Sequence, residues 1–138
     1  MSVKPCVSMS FDGRCEEALG LYQRWLGAEV SFRMTWGDSP MAKDAPPEWG
    51  GKILHASFMI GDMRFACADA LPGAYEAPRG VSILLGVKEL GEAERIFREL
   101  GEGGKVTIPM QETFWALRFG GVVDRFGIAW EINCEKPM

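Results

Sequence analysis

Apolar side chains recur at helical spacing in two separated segments, EEALGLYQRWLG and GEAERIFRELGE. In both, they fall three or four positions apart, as on one face of an amphipathic helix. A glycine, Gly27 or Gly101, follows each apolar run, and glycine readily adopts the left-handed conformation that caps a helix. The pattern predicts helices near residues 15–26 and 89–100.

The two segments belong to a longer internal repeat. At a constant shift of 75 residues, four pairs of positions carry related side chains: Glu17 and Glu92, Ala18 and Ala93, Leu21 and Ile96, Tyr22 and Phe97. One extended run precedes each predicted helix and three follow it; the eight runs are residues 7–11, 30–36, 53–62, 63–70, 81–87, 105–110, 115–124 and 128–134. The sequence predicts an α+β domain, residues 1–138, of two βαβββ modules at about 1–76 and 80–138. We expect each sheet to have one face under its helix, and the two other faces to form a concave cup.

A long segment between Gly37 and Lys52 interrupts the first module. It is rich in proline and glycine, so regular structure is not expected there. Two interpretations remain open for this segment: a lid over the cup, or a solvated linker.

Composition and charge exclude several classes of protein. The chain has 138 residues, 47% of them hydrophobic, and a net charge of -4, which is ordinary for a globular protein. The acidic balance argues against nucleic-acid partners, and no apolar run approaches the ~20 residues of a membrane span. No signal-like stretch opens the sequence, so we expect a cytoplasmic protein without membrane partners. The four cysteines lack any C-x-x-C spacing and are predicted to be buried, reduced thiols.

Several stretches resemble a known family, the PhnB-like branch of the vicinal oxygen chelate superfamily. They are CEEALGLYQRWLGAEV, MTWGDSP, ILHASFMIGD and, most specifically, QETFWALRFGGVVDRFGIAWEIN at residues 111–133. The superfamily also contains glyoxalase I, bleomycin-resistance proteins and extradiol dioxygenases. The resemblance implies the glyoxalase/bleomycin-resistance/dioxygenase-like fold of paired βαβββ modules, a homodimer, and one of many different activities.

The resemblance also implies metal ligands on the first and last strand of each module. Glu131 matches the C-terminal glutamate ligand, whereas the three other positions correspond to Val7 or its neighbour Cys6, to about Ser82, and to Ala66. One carboxylate holds a divalent ion only weakly, so we expect neither a bound metal nor another cofactor. An irregular site of His55, Glu131 and a cysteine would reverse this expectation.

Two residues are candidates for catalysis. Glu131 lies between Trp130 and Ile132, so its side chain points to the face opposite theirs and would enter the cup. His55 is the sole histidine, and imidazole can act as an acid or a base near neutral pH. A structural, hydrogen-bonded histidine is the alternative for His55.

Four further residues are candidates for substrate binding. Gln111, Phe114 and Trp115 lie within five positions, and Trp36 begins the long loop. An amide beside large flat side chains is typical of small-molecule sites, although the aromatic residues could equally belong to the core. Asp124 and Arg125 are interpreted as turn residues and a surface ion pair.

These observations leave two functional hypotheses. The first is a protein that binds a small molecule in a metal-free, aromatic-lined cup. The second is an enzyme of the lyase, isomerase or dioxygenase type that uses Glu131, with or without His55. A ubiquinone-pathway methyltransferase, as the family is sometimes labelled, is less favoured, because no glycine-rich loop joins a strand to a helix as in the usual S-adenosylmethionine fold.

Overall fold

The structure, a computed structural model, describes residues 2–137 and divides the chain into two compact units, 1–76 and 77–138. The first unit contains β1 (Val7–Phe11), α1 (Cys15–Leu26), β2 (Glu29–Thr35), β3 (Ile53–Ile60) and β4 (Met63–Asp69). The second contains β5 (Ile83–Gly86), α2 (Leu90–Gly101), β6 (Lys105–Gln111), β7 (Ala116–Val123) and β8 (Ala129–Glu135). The predicted α+β fold of two βαβββ modules is confirmed.

Both units build the same four-stranded mixed sheet. The strand orders are β1-β4-β3-β2 and β5-β8-β7-β6. The first and last strands of each unit pair in parallel, and the other pairs are antiparallel. Ser8 is paired with Ala66 in one sheet and Leu84 with Glu131 in the other, so the repeat seen in the sequence is also a repeat of strand register.

Aromatic packing fills the core of the first unit. Tyr22 of α1 is fully buried, and its ring centroid lies 6.0 Å from that of Phe58 on β3. Phe58 in turn stacks on Phe65 of β4 at 5.0 Å. The amphipathic spacing of α1 therefore directs its apolar face onto β3 and β4, where burial of aromatic area stabilises the unit.

The two helices end differently, although a glycine follows both apolar runs. Gly27 caps α1 in the left-handed conformation at φ 68°, as predicted. The same prediction for Gly101 is wrong, because Gly101 is the last residue of α2 and Glu102 caps it at φ −67°. The positive φ falls two residues later, at Gly103, where the chain turns towards β6.

The loop between β2 and β3 has more regular structure than its composition predicts. It contains two short 3-10 turns, Ala42–Asp44 and Pro47–Trp49, and proline is accepted at the start of such a turn because its missing N–H has no partner there. Two backbone bonds join the ends of the loop: the Trp36 N–H donates to the Lys52 carbonyl at 2.8 Å, and the Gly37 N–H donates to the Gly50 carbonyl at 2.9 Å.

Three of the four cysteines are buried, as expected, but Cys6 is exposed. Cys6 precedes the first residue of β1, so no ladder covers it. Inside the first unit the sulfur atoms of Cys15 and Cys67 lie 3.4 Å apart. Their hydrogen bond and their burial raise the pKa of the Cys15 thiol far above its usual value, which makes it a poor nucleophile.

Within residues 2–137, no helix has the length and apolar character needed to cross a membrane.

Candidate functional site

Helix α2 covers one face of the second sheet, so each side chain of the sheet points either towards α2 or away from it. A Cβ atom added at Gly120 would lie 2.8 Å from the Phe97 ring of α2, so Gly120 faces the helix. Because successive side chains of a strand alternate between faces, the neighbouring residues point away from α2. We call this opposite surface the distal face; its members on β7 and β8 include Phe119, Gly121, Glu131 and Asn133.

Glu131 lies in the middle of the distal face. It is half-buried, and its strand neighbours Trp130 and Ile132 are 1% and 0% exposed, so the alternation predicted for this strand is present. Glu131 pairs with Leu84 on β5 and with Gly121 on β7. A Cβ atom added at Gly121 would lie 2.9 Å from Thr107 Oγ1 and 3.4 Å from the Ile108 side chain, so these β6 residues pack over Gly121.

The strand register identifies the residues that lie directly beside Ala66 and Glu131, the two last-strand positions predicted to match metal ligands. Ser8, not Val7 or Cys6, is paired with Ala66, and Leu84, not Ser82, is paired with Glu131. Ser82 precedes the first residue of β5, and the helix-side residue Phe65 is the partner of Val7.

The donor set does not fit the divalent ion that the resemblance implies. Ser8 and Leu84 lie beside the two last-strand positions, and neither side chain is a carboxylate or an imidazole. Across the described part of the chain, no three His, Cys, Asp or Glu side chains come together in a way that could hold a metal ion. We therefore assign no step of any reaction to a metal.

Three aromatic side chains form a cluster at the end of the distal face. The ring centroids of Phe114 and Trp115 are 4.9 Å apart, and those of Trp115 and Phe119 are 5.4 Å apart, both edge-to-face. Phe114 is 89% exposed and Trp115 is 42% exposed. The prediction that these two residues could belong to the core is therefore wrong; we call Phe114, Trp115 and Phe119 the aromatic cluster.

Hydrogen bonds fix the turn that presents the cluster. The Ala116 N–H donates to Thr113 Oγ1 at 2.9 Å, and the Thr113 N–H donates to the Ala116 carbonyl at 3.0 Å. Directly after β8, the Lys136 N–H donates to the Trp115 carbonyl at 3.1 Å. The Lys136 ammonium also lies 3.0 Å from the Glu112 carboxylate and lowers the pKa of that carboxyl.

Asn133 holds the indole of the cluster and was missed by the sequence analysis. Trp115 Nε1 donates to Asn133 Oδ1 at 3.0 Å, and Asn133 is only 8% exposed. Its position two residues after Glu131 places both on the distal face. That spacing was the available signal, since an asparagine on a buried strand needs hydrogen-bond partners.

Gln111 joins the same group of side chains. It is the exposed last residue of β6, and it pairs with Phe119, which in turn pairs with Asn133. The second unit therefore places four of the six predicted site residues on or beside one distal face: Gln111, Phe114, Trp115 and Glu131.

The two other predicted site residues lie in the first unit. His55 is exposed on β3, and its ring centroid lies 5.9 Å from that of Phe32. Trp36 is 7% exposed, and its Nε1 donates to the Asp69 carbonyl at 3.2 Å. This environment gives Trp36 a packing role in the first unit.

Asp124 is a turn residue, as predicted, but it is not at the surface. It is 3% exposed, because its carboxylate binds backbone N–H groups inside the turn before β8. The Arg125 side chain donates to the Glu102 carbonyl at 3.0 Å. Asp124 therefore stabilises the turn that leads into β8, the strand that carries Glu131 and Asn133.

Comparison with known proteins gives consistent matches over nearly the whole chain. The family model described as 3-demethylubiquinone-9 3-methyltransferase matches residues 3–133. Protein YjdN of Escherichia coli strain K12 is 35% identical, covering 93% of this chain and 92% of that protein.

Solved structures share the fold. Protein PA1353 from Pseudomonas aeruginosa is 40% identical with a TM-score of 0.87, covering 99% of this chain and 100% of its own. A glyoxylase/bleomycin resistance protein/dioxygenase domain from Frankia sp. EAN1pec is 16% identical with a TM-score of 0.66, covering 99% of both chains. The second likeness concerns the fold alone.

Proposed function

The chain belongs to the 3-demethylubiquinone-9 3-methyltransferase, or PhnB-like, family of the vicinal oxygen chelate superfamily, and from this premise we propose that it binds a small molecule. The ligand lies against the aromatic cluster on the distal face of the second sheet. It presents a flat apolar part to Trp115 and Phe114, and a polar group to Glu131 or Gln111.

The observation that carries this proposal is that Trp115 is both exposed and held in place. Its indole N–H is bound by Asn133 and its carbonyl by the Lys136 N–H, yet 42% of the residue remains accessible. A large aromatic surface exposed to water is unfavourable by roughly 25 cal/mol per Å² of apolar area. A fixed, exposed indole is therefore ready to bind a flat ligand without loss of side-chain entropy.

The polar residues beside the aromatic cluster orient the bound ligand. Small-molecule sites combine apolar and aromatic walls with a few polar groups. Glu131 provides an acceptor within the distal face, and Gln111 provides an amide at the end of β6. In this proposal the two residues contact the ligand directly. Proton transfer by Glu131, with or without His55, is the catalytic alternative and stays a prediction.

The family's description implies S-adenosylmethionine, and the loops of this chain do not fit that cofactor in its usual doubly wound site. The strand-to-helix loops 12–14 and 87–89 contain a single glycine, Gly13. Gly13 lies against the Trp49 side chain, with the nearest ring atom 3.1 Å from an added Cβ. A nucleotide-binding loop needs several glycines so that the backbone can approach the ligand. We derive no methyl-transfer step.

Removal of the indole should weaken binding of a flat aromatic probe. With 8-anilinonaphthalene-1-sulfonate as the probe, Trp115→Ala is expected to raise the Kd about tenfold, because stacking on an aromatic side chain contributes about 1–3 kcal/mol. Titration of probe fluorescence measures the Kd. The matched control is Phe32→Ala in the first unit, where Phe32 is 45% exposed against 42% for Trp115. We expect less than a twofold change for this control, and equal Kd values for wild type and Trp115→Ala would contradict the proposal.

We also propose that the chain forms a homodimer, as the resemblance implies. Exposed apolar side chains lie on both outermost strands of the second sheet: Leu84 on β5 and Val106 on β6. Strand edges and apolar surface of this kind are commonly covered by a partner. Light scattering should therefore give about twice the chain mass of 15.3 kDa at micromolar concentration. A mass equal to one chain would contradict the dimer.

A further inference from the structure

A cavity of about 480 Å³ lies where β5 and β8 end in the second unit. Its apolar wall includes Val87, Leu117 and Pro137, and its polar wall consists of Lys88, Asn133 and Glu135. The volume falls within the range of about 300–1,000 Å³ typical of small-molecule sites.

The Asn133 side chain gives the cavity hydrogen-bond donors that have no acceptor in the described residues. An indole N–H can only donate, so the bond from Trp115 fixes the amide oxygen on the Trp115 side. The two amide N–H groups then point the other way, and no described residue accepts a hydrogen bond from them. Asn133 lines the cavity, so these donors are available to an acceptor that binds there. An acceptor atom on a ligand could receive hydrogen bonds from these Asn133 N–H groups.

The cavity also presents one charge of each sign. Lys88 and Glu135 both line it, and within residues 2–137 neither side chain takes part in an ion pair or a hydrogen bond. The lining is therefore neutral overall, with an ammonium and a carboxylate available at separate points. A ligand of complementary chemistry carries both an anionic and a cationic group.

We propose that this cavity binds the head group of a small zwitterion, an α-amino acid or a close analogue. The ligand carboxylate accepts from the Asn133 amide and the Lys88 ammonium, and the ligand ammonium donates to Glu135. This inference rests on the proposed function, because Asn133 joins the cavity to the aromatic cluster, which holds the ligand's side chain. It names the class of ligand that the distal face takes.

A matched series of probes tests the charge requirement. L-phenylalanine has both charges, 3-phenylpropionate has only the carboxylate, and phenethylamine has only the ammonium. Calorimetric titration should give L-phenylalanine a Kd at least tenfold lower than either analogue. In an NMR titration, the Asn133 side-chain N–H signals should move with L-phenylalanine and 3-phenylpropionate but not with phenethylamine.

Two variants test which cavity residue binds each charged group of the ligand. Asn133→Asp keeps an acceptor for Trp115 but replaces the amide donors with a negative oxygen, so we expect at least a tenfold loss of L-phenylalanine affinity. Glu135→Gln should remove the advantage of L-phenylalanine over 3-phenylpropionate. Glu94→Gln, an exposed acid on α2 outside the cavity, is the control and should change neither Kd. Thermal unfolding of each variant checks that it is folded.

The outcomes separate this inference from the proposed function. If all three probes bind equally, or if none moves the Asn133 signals, the zwitterion site is wrong. If Trp115→Ala weakens the phenyl probes while Asn133→Asp does not, the aromatic site stands and the zwitterion site fails. If glycine, which lacks a ring, moves the Asn133 signals while Trp115→Ala leaves the Kd of L-phenylalanine unchanged, the zwitterion site stands and the aromatic site fails.

Discussion

Asp124→Ala should lower the free energy of unfolding by at least about 3 kcal/mol, because three buried donors lose their acceptor at about 1–3 kcal/mol each. One carboxylate oxygen accepts from the Phe126 N–H at 2.9 Å and the Ile128 N–H at 3.0 Å. The other accepts from Trp130 Nε1 at 2.9 Å. Asp124 is 3% exposed, so water cannot replace these bonds without opening the turn.

Urea unfolding followed by fluorescence measures this loss. Asp124→Asn keeps one acceptor oxygen and should fall between the alanine variant and wild type. Asp62→Ala is the control, since Asp62 is exposed in the turn between β3 and β4, and substitutions at such sites usually cost less than about 0.5 kcal/mol. A loss below about 1 kcal/mol for Asp124→Ala would show that the turn does not depend on this carboxylate.

Gly104→Ala should destabilise the second unit by about 3 kcal/mol, because the added methyl group has no space. A Cβ atom at this position would overlap the carbonyl oxygen of Val123, and it would lie 3.0 Å from the Cα atom of Asp124. Both neighbours are backbone atoms in the turn after β7, so they cannot move aside by a change of rotamer. The start of β6 and the turn would have to separate.

Gly20→Ala provides the opposite result as a control. Gly20 lies inside α1, and nothing lies within 4 Å of an added Cβ, so alanine should stabilise the helix by about 0.5–1 kcal/mol. Thermal unfolding of both variants measures the two shifts. If Gly104→Ala unfolds at the wild-type temperature, the close approach of β6 to this turn is wrong.

The fold was predictable because the sequence patterns that determine its helices and strands lie within those elements or next to them. The apolar spacing in α1 and the glycine at position 27 lie within a few residues of the structure they determine, and the boundaries of α1 agree with the prediction at both ends. Gly101 was predicted wrongly because the sequence around it offers three glycines within four positions. Which of them takes the positive φ depends on the close packing of this turn against β7, and that contact is long-range.

The site was predictable only in part, for the same reason. Strand alternation was enough to place Glu131 on the face opposite Trp130, because both lie on one strand. The bond between Trp115 and Asn133 joins residues 18 positions apart, and the β7–β8 register shifts between Ala116 and Arg118. No local pattern encodes that irregularity. The buried position of Trp36 likewise depends on Asp69, on a distant strand.

The most direct test of a ligand site at the aromatic cluster is an NMR titration of ¹⁵N-labelled protein with 8-anilinonaphthalene-1-sulfonate. The chain has five tryptophans, and each indole N–H gives its own signal. The account predicts that the Trp115 indole signal moves most, together with the backbone signals of Phe114 and Phe119. Largest shifts at the groove lined by Phe97 and Val106, with the Trp115 signal unmoved, would contradict it.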